Sequence, residues 1–162
     1  MARRLTTLGA AGSSLIDTAR KLGESAVAAG SVIGQRAAMG AEALCDPASF
    51  DSAELSRMST EKIAAFTASS SILLDELQTI QAELAHYATG EATASVQAAL
   101  DIATAAHPLA ALAIQQRWLA EAWCRTNQHA LTLTALSTGA SNSALGPVHA
   151  AVTGNARRLS RR

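Results

Sequence analysis

Between Ile63 and Tyr87 the large side chains recur at spacings of three and four residues: Ile63, Phe66, Leu73, Leu77, Ile80, Leu84 and Tyr87, with Ser70 the single small polar occupant of the series. This is a heptad pattern. It predicts a helix about 37 Å long with one narrow apolar stripe that must be covered by something. No catalytic group interrupts the stripe. It reads either as the inside of a coiled coil or as a face offered to another surface, and the pattern leaves open whether its partner lies within the chain or between chains.

A chain of 162 residues suits one domain or one bundle. Hydrophobic residues make up 49% of it but aromatic residues only 3%, and the mean hydropathy is just +0.15, because much of the apolar content is alanine. Alanine favours helix and buries little area, which fits long helices better than a thick central core. No stretch of comparable length alternates in the manner of a strand. The predicted class is all-α: long amphipathic helices in an extended bundle or coiled coil, without a β-sheet.

Breakers divide the chain into helical segments. A first helix is predicted from about Gly12 to Leu44, with Leu15, Leu22, Val32 and Met39 on its stripe and four glycines loosening it. Pro47 makes Asp46–Phe50 a connection, and Asp51 with Glu54 has capping-box spacing at the start of the second helix. The second helix is expected to run to Tyr87 or, across Gly90, as far as Ala106, with a bend or weaker segment near Gly90. His107 and Pro108 mark the next break, with Pro108 at the first position of a new helix. In that helix Leu109, Leu112, Leu119 and Trp123 share one face, while Ile114 and Trp118 point elsewhere. Trp123 reads as a packing residue. The small polar run from Ser137 to Ser143 marks a weak point, and Gly146–Pro147 a second start, after which Val148, Val152 and Leu159 continue a modest stripe.

Thirteen basic residues balance thirteen acidic ones and the pI is near 6.9, which argues against nucleic-acid binding along the chain. Arg3 and Arg4 near one end, and Arg157, Arg158, Arg161 and Arg162 near the other, read as solvated termini, with attachment to an anionic partner as the sharper alternative. Cys45 and Cys124 stand alone, without the spacing of a disulfide framework or a zinc site, so a reducing cytoplasmic setting is expected. The N-terminal stretch is too polar for a signal-peptide core, and no run approaches the ~20 apolar residues that span a bilayer.

Chemistry finds little purchase. Glu83 and His86 have the Glu-x-x-His spacing of helical di-iron proteins, but Thr104 and Thr126 stand where a second glutamate would precede His107 and His129. His149 has no carboxylate at a suitable spacing. No serine sits in a nucleophile elbow, no phosphate loop is present, and Cys124 beside Arg125 reads as an idle helix cysteine. The expectation is a protein without catalytic residues, metal or cofactor.

Ser31–Leu44, reading SVIGQRAAMGAEAL, and Glu54–Phe66, reading ELSRMSTEKIAAF, resemble the phasins, the small proteins that coat bacterial polyhydroxyalkanoate storage granules. Leu145–His149 (LGPVH), leading into Asn155–Leu159 (NARRL), is similar to the end of that family's helical domain. The resemblance covers most of residues 31–160. It implies a helical or partly disordered lead segment at 1–30, a phasin-like helical domain at 31–160 and a basic tail at 161–162. It implies a cytoplasmic protein at the granule surface that controls the size, number and dispersion of polyhydroxybutyrate-type granules. It further implies a homo-oligomer in solution and contacts with a granule synthase or depolymerase. The face that would touch polymer or a partner helix is the stripe from Ile63 to Tyr87 together with Leu109, Leu112, Leu119 and Trp123. The sequence departs from some members in showing no long lysine- and proline-rich tail, so the resemblance does not carry nucleoid tethering over as an expectation. The competing expectation is a cytosolic coiled-coil scaffold or adaptor that binds a protein partner through the same stripe.

Overall fold

A computed structural model describes residues 2–46 and 52–161, and the side chains of residue 9 and of residues 12 onward within them. The chain is an all-α helical bundle of three helices: α1 over Ala2–Cys45, α2 over Ser52–Ala103 and α3 over Pro108–Leu159. No strand occurs among the described residues. The connection expected at Asp46–Phe50 and the capping box at Asp51 fall on residues 47–51, which lie outside the described residues apart from Asp46, whose amide donates to Glu42.

The helices are longer than their breakers suggest. The first begins at Ala2, so the expected division between residues 30 and 31 falls inside α1. Gly90 produces no break: α2 continues through it to Ala103, because one glycine costs a helix only about 1 kcal/mol. Nor does α3 restart at Gly146–Pro147. Pro147 sits inside a helix that is continuous from Pro108 to Leu159. An interior proline costs about 3 kcal/mol, since it cannot donate to the carbonyl four residues earlier. Contacts on both sides of Pro147 hold the helix in line. Lys21 Nζ donates to the carbonyl and Oδ1 of Asn142 at 3.0 and 2.8 Å, and the His149 ring meets Ser25 and Glu24 at 3.2 Å each. The start of α3 is as the sequence predicts, with Pro108 first. His107 caps it, its Nδ1 and carbonyl both accepting from the Ala110 amide.

Two compact units divide the chain. One comprises Met1–Ala11 and Glu76–Ser137, the other Gly12–Asp75 and Thr138–Arg162. In the first, the end of α2 turns through residues 104–107 into the start of α3, and the two run antiparallel, with Glu83 opposite His129 and Glu91 opposite Arg125. In the second, segments of all three helices meet.

The faces that pack mix small and polar side chains with fewer large apolar ones. Along α2 the less exposed positions include Glu54, Met58, Glu61, Ala65, Ser69, Ile72, Glu76, Ile80, Glu83, Tyr87, Glu91, Ala94 and Ala98, a period close to 3.6 residues. The buried apolar residues of the second unit are Ala28, Met58, Ala65, Ala140, Ala144 and Leu159, four of them alanine.

Candidate functional site

A helix that buries small and polar side chains must show its large apolar ones elsewhere. On α2, Ile63 and Phe66 are 68% and 70% exposed, and Leu73, Leu77 and Leu84 are between 44% and 50% exposed. Only Ile80 and Tyr87 of the heptad series turn toward the packed face. On α3, Leu109 and Trp123 are 75% and 71% exposed, and Leu112 and Leu119 about half. Trp123 is thus largely exposed within the chain. The less exposed positions of α3 include Ile114, Trp118, Arg125, His129, Leu133 and Leu136.

The stripe residues thus fall into two groups. Ile63, Phe66, Leu73, Leu77 and Leu84 of α2, with Leu109, Leu112, Leu119 and Trp123 of α3, face outward, whereas Ile80 and Tyr87 help join helices. In α1, Leu15 and Leu22 are also exposed, while Val32 and Met39 of the same predicted stripe are half-buried. Exposed apolar side chains scattered singly are ordinary on a protein surface, whereas a series at helical spacing shares one face of its helix.

Hydrogen bonds and ion pairs join the helices alongside their apolar contacts. In the 76–137 unit, Arg125 grips both carboxylate oxygens of Glu91 through Nε and Nη2. That hydrogen bonding outweighs desolvation and holds the Glu91 carboxyl below its ordinary range, and it raises Arg125 in turn. Nearby, His129 Nδ1 lies 3.2 Å from Glu83 Oε1, its ring stacks on Tyr87, and the Tyr87 hydroxyl meets Thr126 Oγ1 at 2.8 Å. In the other unit, Arg158 of α3 reaches Glu54 and Glu61 of α2 at 2.8 and 2.9 Å, with Asn155 Oδ1 also accepting at 2.6 Å. The Glu61 and then the Glu54 hydrogen bonds raise Arg158. Arg158 is thus an interhelical residue rather than part of a solvated basic end.

Sequence reasoning missed these pairs. Glu54 and Arg158 are 104 residues apart, and no local spacing announces such a bond.

The chemistry available in these clusters is limited. A groove of about 420 Å³ is lined by Glu83, His86, Tyr87, Glu91, Arg125, Gln128 and His129 among others, yet its carboxylates are engaged by Arg125 and His129. Glu83 is bonded to His129, not to His86 as part of a Glu-x-x-His ligand set. No group of three or more His, Cys, Asp or Glu side chains able to hold a metal ion occurs among the described residues. Cys45 and Cys124 are both free and exposed. No helix is long and apolar enough to cross a membrane among the described residues.

Known proteins add no further constraint. No family model, no curated protein and no solved structure matches the chain. The outward stripe is therefore the feature from which function must be argued.

Proposed function

We propose that this protein is a non-catalytic coat protein of the phasin type, lying on polyhydroxyalkanoate storage granules in the cytoplasm and thereby setting their size, number and dispersion. The observation that carries the reading is the outward series Ile63, Phe66, Leu73, Leu77 and Leu84 on a helix whose packed face is largely polar. A water-insoluble polyester needs apolar side chains laid along its surface and polar groups turned to water, and an adsorbed amphipathic helix supplies both. The resemblance of residues 31–44 and 54–66 to phasins supports the same reading. Self-association through the stripe would keep it covered in solution and compete with adsorption, and a granule synthase or depolymerase would meet the coat from its polar side.

The second reading, a coiled-coil scaffold or adaptor, is favoured by the three-and-four spacing from Ile63 to Leu84, which suits knobs-into-holes packing against a partner helix. Two measurements separate the readings. Purified protein mixed with amorphous polyhydroxybutyrate particles should co-sediment well above an unrelated helical bundle, and a fluorescent fusion should ring the granules of polymer-accumulating cells. No enrichment on particles, together with a diffuse cellular signal, would select the scaffold.

A further inference from the structure

His149 of α3 is met by α1 at both of its ring nitrogens. Its Nε2 lies 3.2 Å from Glu24 Oε2, and its Nδ1 lies 3.2 Å from Ser25 Oγ. All three residues belong to the unit of Gly12–Asp75 and Thr138–Arg162. An ionised carboxylate only accepts, so in the neutral ring the nitrogen facing Glu24 carries the proton. Nδ1 is then the bare lone pair, and the Ser25 hydroxyl is the donor to it. A serine that gives its proton to an imidazole, itself oriented by a carboxylate, is the arrangement of an activated nucleophile. Ser25 and His149 are 124 residues apart, so no local motif announces the group.

The surroundings suit acyl transfer. The other oxygen of Glu24 meets Arg20 Nη1 at 3.1 Å, which fixes the carboxylate. Lys21 lies one turn before Ser25 on α1, and its ammonium spends two of its three donors on the Asn142 carbonyl and Oδ1, at 3.0 and 2.8 Å. It is the cation placed to stabilise an oxyanion forming at Ser25. A hollow of about 680 Å³ opens beside Glu24, lined by Val27 and Ala28 of α1 and by Thr153, Ala156 and Arg157 of α3. Its small apolar walls suit a short aliphatic chain. The His149 side chain is 21% exposed and that of Glu24 45%, so water and substrate have access to the group.

We propose that Ser25, His149 and Glu24 form a hydrolytic site for esters of short aliphatic acids, with Ser25 the nucleophile, His149 the general base and Glu24 the residue that positions the ring. The Ser25 oxygen bonds to the ester carbonyl carbon while its proton passes to His149 Nδ1, and the carbonyl π pair moves onto the oxygen. As that pair returns, the bond to the alkoxide breaks, and the leaving oxygen takes the proton from Nδ1. An alcohol departs and an acyl ester of Ser25 remains. A solvent water then gives a proton to Nδ1 and bonds to the acyl carbon. The Ser25 oxygen leaves with that proton, and the carboxylic acid is released. This goes beyond the coat reading: it rests on the α1–α3 contact and not on the outward stripe, and it adds one acyl-transfer site to a protein read there as non-catalytic.

The test measures hydrolysis of p-nitrophenyl butyrate by the full chain and maps by peptide mass spectrometry the serine that a fluorophosphonate labels. Hydrolysis is expected to be about tenfold or more above that of Ser25→Ala and of His149→Ala, with the label on Ser25. Glu24→Gln keeps an acceptor for Nε2 but loses the charge that stabilises the imidazolium, so kcat should fall about tenfold with KM unchanged, a split that a merely structural contact would not give. A second variant guards against loss of fold. In a Cys45→Ser, Cys124→Ser background, the thiol of Ser25→Cys should react with iodoacetamide at neutral pH about tenfold faster than the exposed Cys124 of the natural chain. Hydrolysis equal to that of Ser25→Ala, a label on another serine, or a Ser25→Cys thiol no faster than Cys124 would each overturn the site. Retention on polyester particles bears on none of these results, so the coat reading stands or falls separately.

Discussion

Tyr87 and His129 stack face to face, their ring centroids 4.0 Å apart and their planes 6° from parallel. The contact joins α2 to α3 and explains why Tyr87 leaves the apolar stripe that its heptad position assigns to it. His129 is held at its other side by Glu83, and the Tyr87 hydroxyl by Thr126. Stacked rings contribute ~0.5–1.5 kcal/mol beyond their burial. Replacing His129 with alanine also strands Glu83, so the variant should lose about 1–2 kcal/mol in urea unfolding of the whole chain. Tyr87→Phe keeps the stack and should lose less than half of that.

Arg158 should be the more costly residue to remove. Its side chain is 26% exposed, while that of Glu54 is 3% exposed, so truncation leaves a carboxylate buried without this cation. Breaking one partner of a fully buried pair costs ~3–5 kcal/mol, and the partial exposure of Arg158 lowers the expectation for Arg158→Ala to about 2–3 kcal/mol. Adding Glu54→Leu to Arg158→Leu should recover part of the loss, because it removes the buried carboxylate and leaves only Glu61, whose side chain is 36% exposed, without the guanidinium. A double variant less stable than Arg158→Ala would refute this account of the cluster.

Acid should loosen the 76–137 unit. A carboxyl held below its ordinary value of 4.5 stabilises the fold fully above that value, and the contribution fades as pH falls through its lower native value. The thermal midpoint should therefore fall as pH drops below about 5. Glu91→Gln should fall less steeply over the same window. Arg125 and Arg158, both raised by their carboxylate partners, keep their charge throughout and contribute no slope there.

Gly90 should accept a methyl group. A Cβ built at this position meets nothing within 4 Å, and the backbone is helical on both sides. Gly90→Ala should raise stability by about 0.5–1 kcal/mol, read as a higher denaturant midpoint with an unchanged slope. A decrease would show that residue 90 needs conformational freedom that a continuous helix does not.

Much of the architecture is legible in the residues, because helix periodicity and alanine content are local signals. The heptad series placed α2, Pro108 placed the start of α3, and the class was apparent from the lack of alternation. The lengths were less so. Gly90 and Pro147 are breakers by propensity, and the contacts that flank Pro147, Lys21 with Asn142 before it and Ser25 with His149 after it, are distant in sequence. The direction of the stripe was hidden for a related reason. Apolar periodicity marks which residues share a face, while the packed face here is marked by Glu54, Glu61, Glu83 and Glu91. Their partners Arg158, His129 and Arg125 have no periodic relation to them.

Retention on polyester particles by two matched variants tests the central claim most directly. Leu73→Glu with Leu77→Glu places two charges on the outward stripe, and His86→Glu with Gln128→Glu places two on the groove side. Neither pair alters a residue buried in the bundle, so far-ultraviolet circular dichroism should show unchanged helix content for both. The account predicts at least a tenfold loss of retention for the stripe variant and less than a twofold change for the groove variant. Equal retention by the two, each still helical, would contradict it.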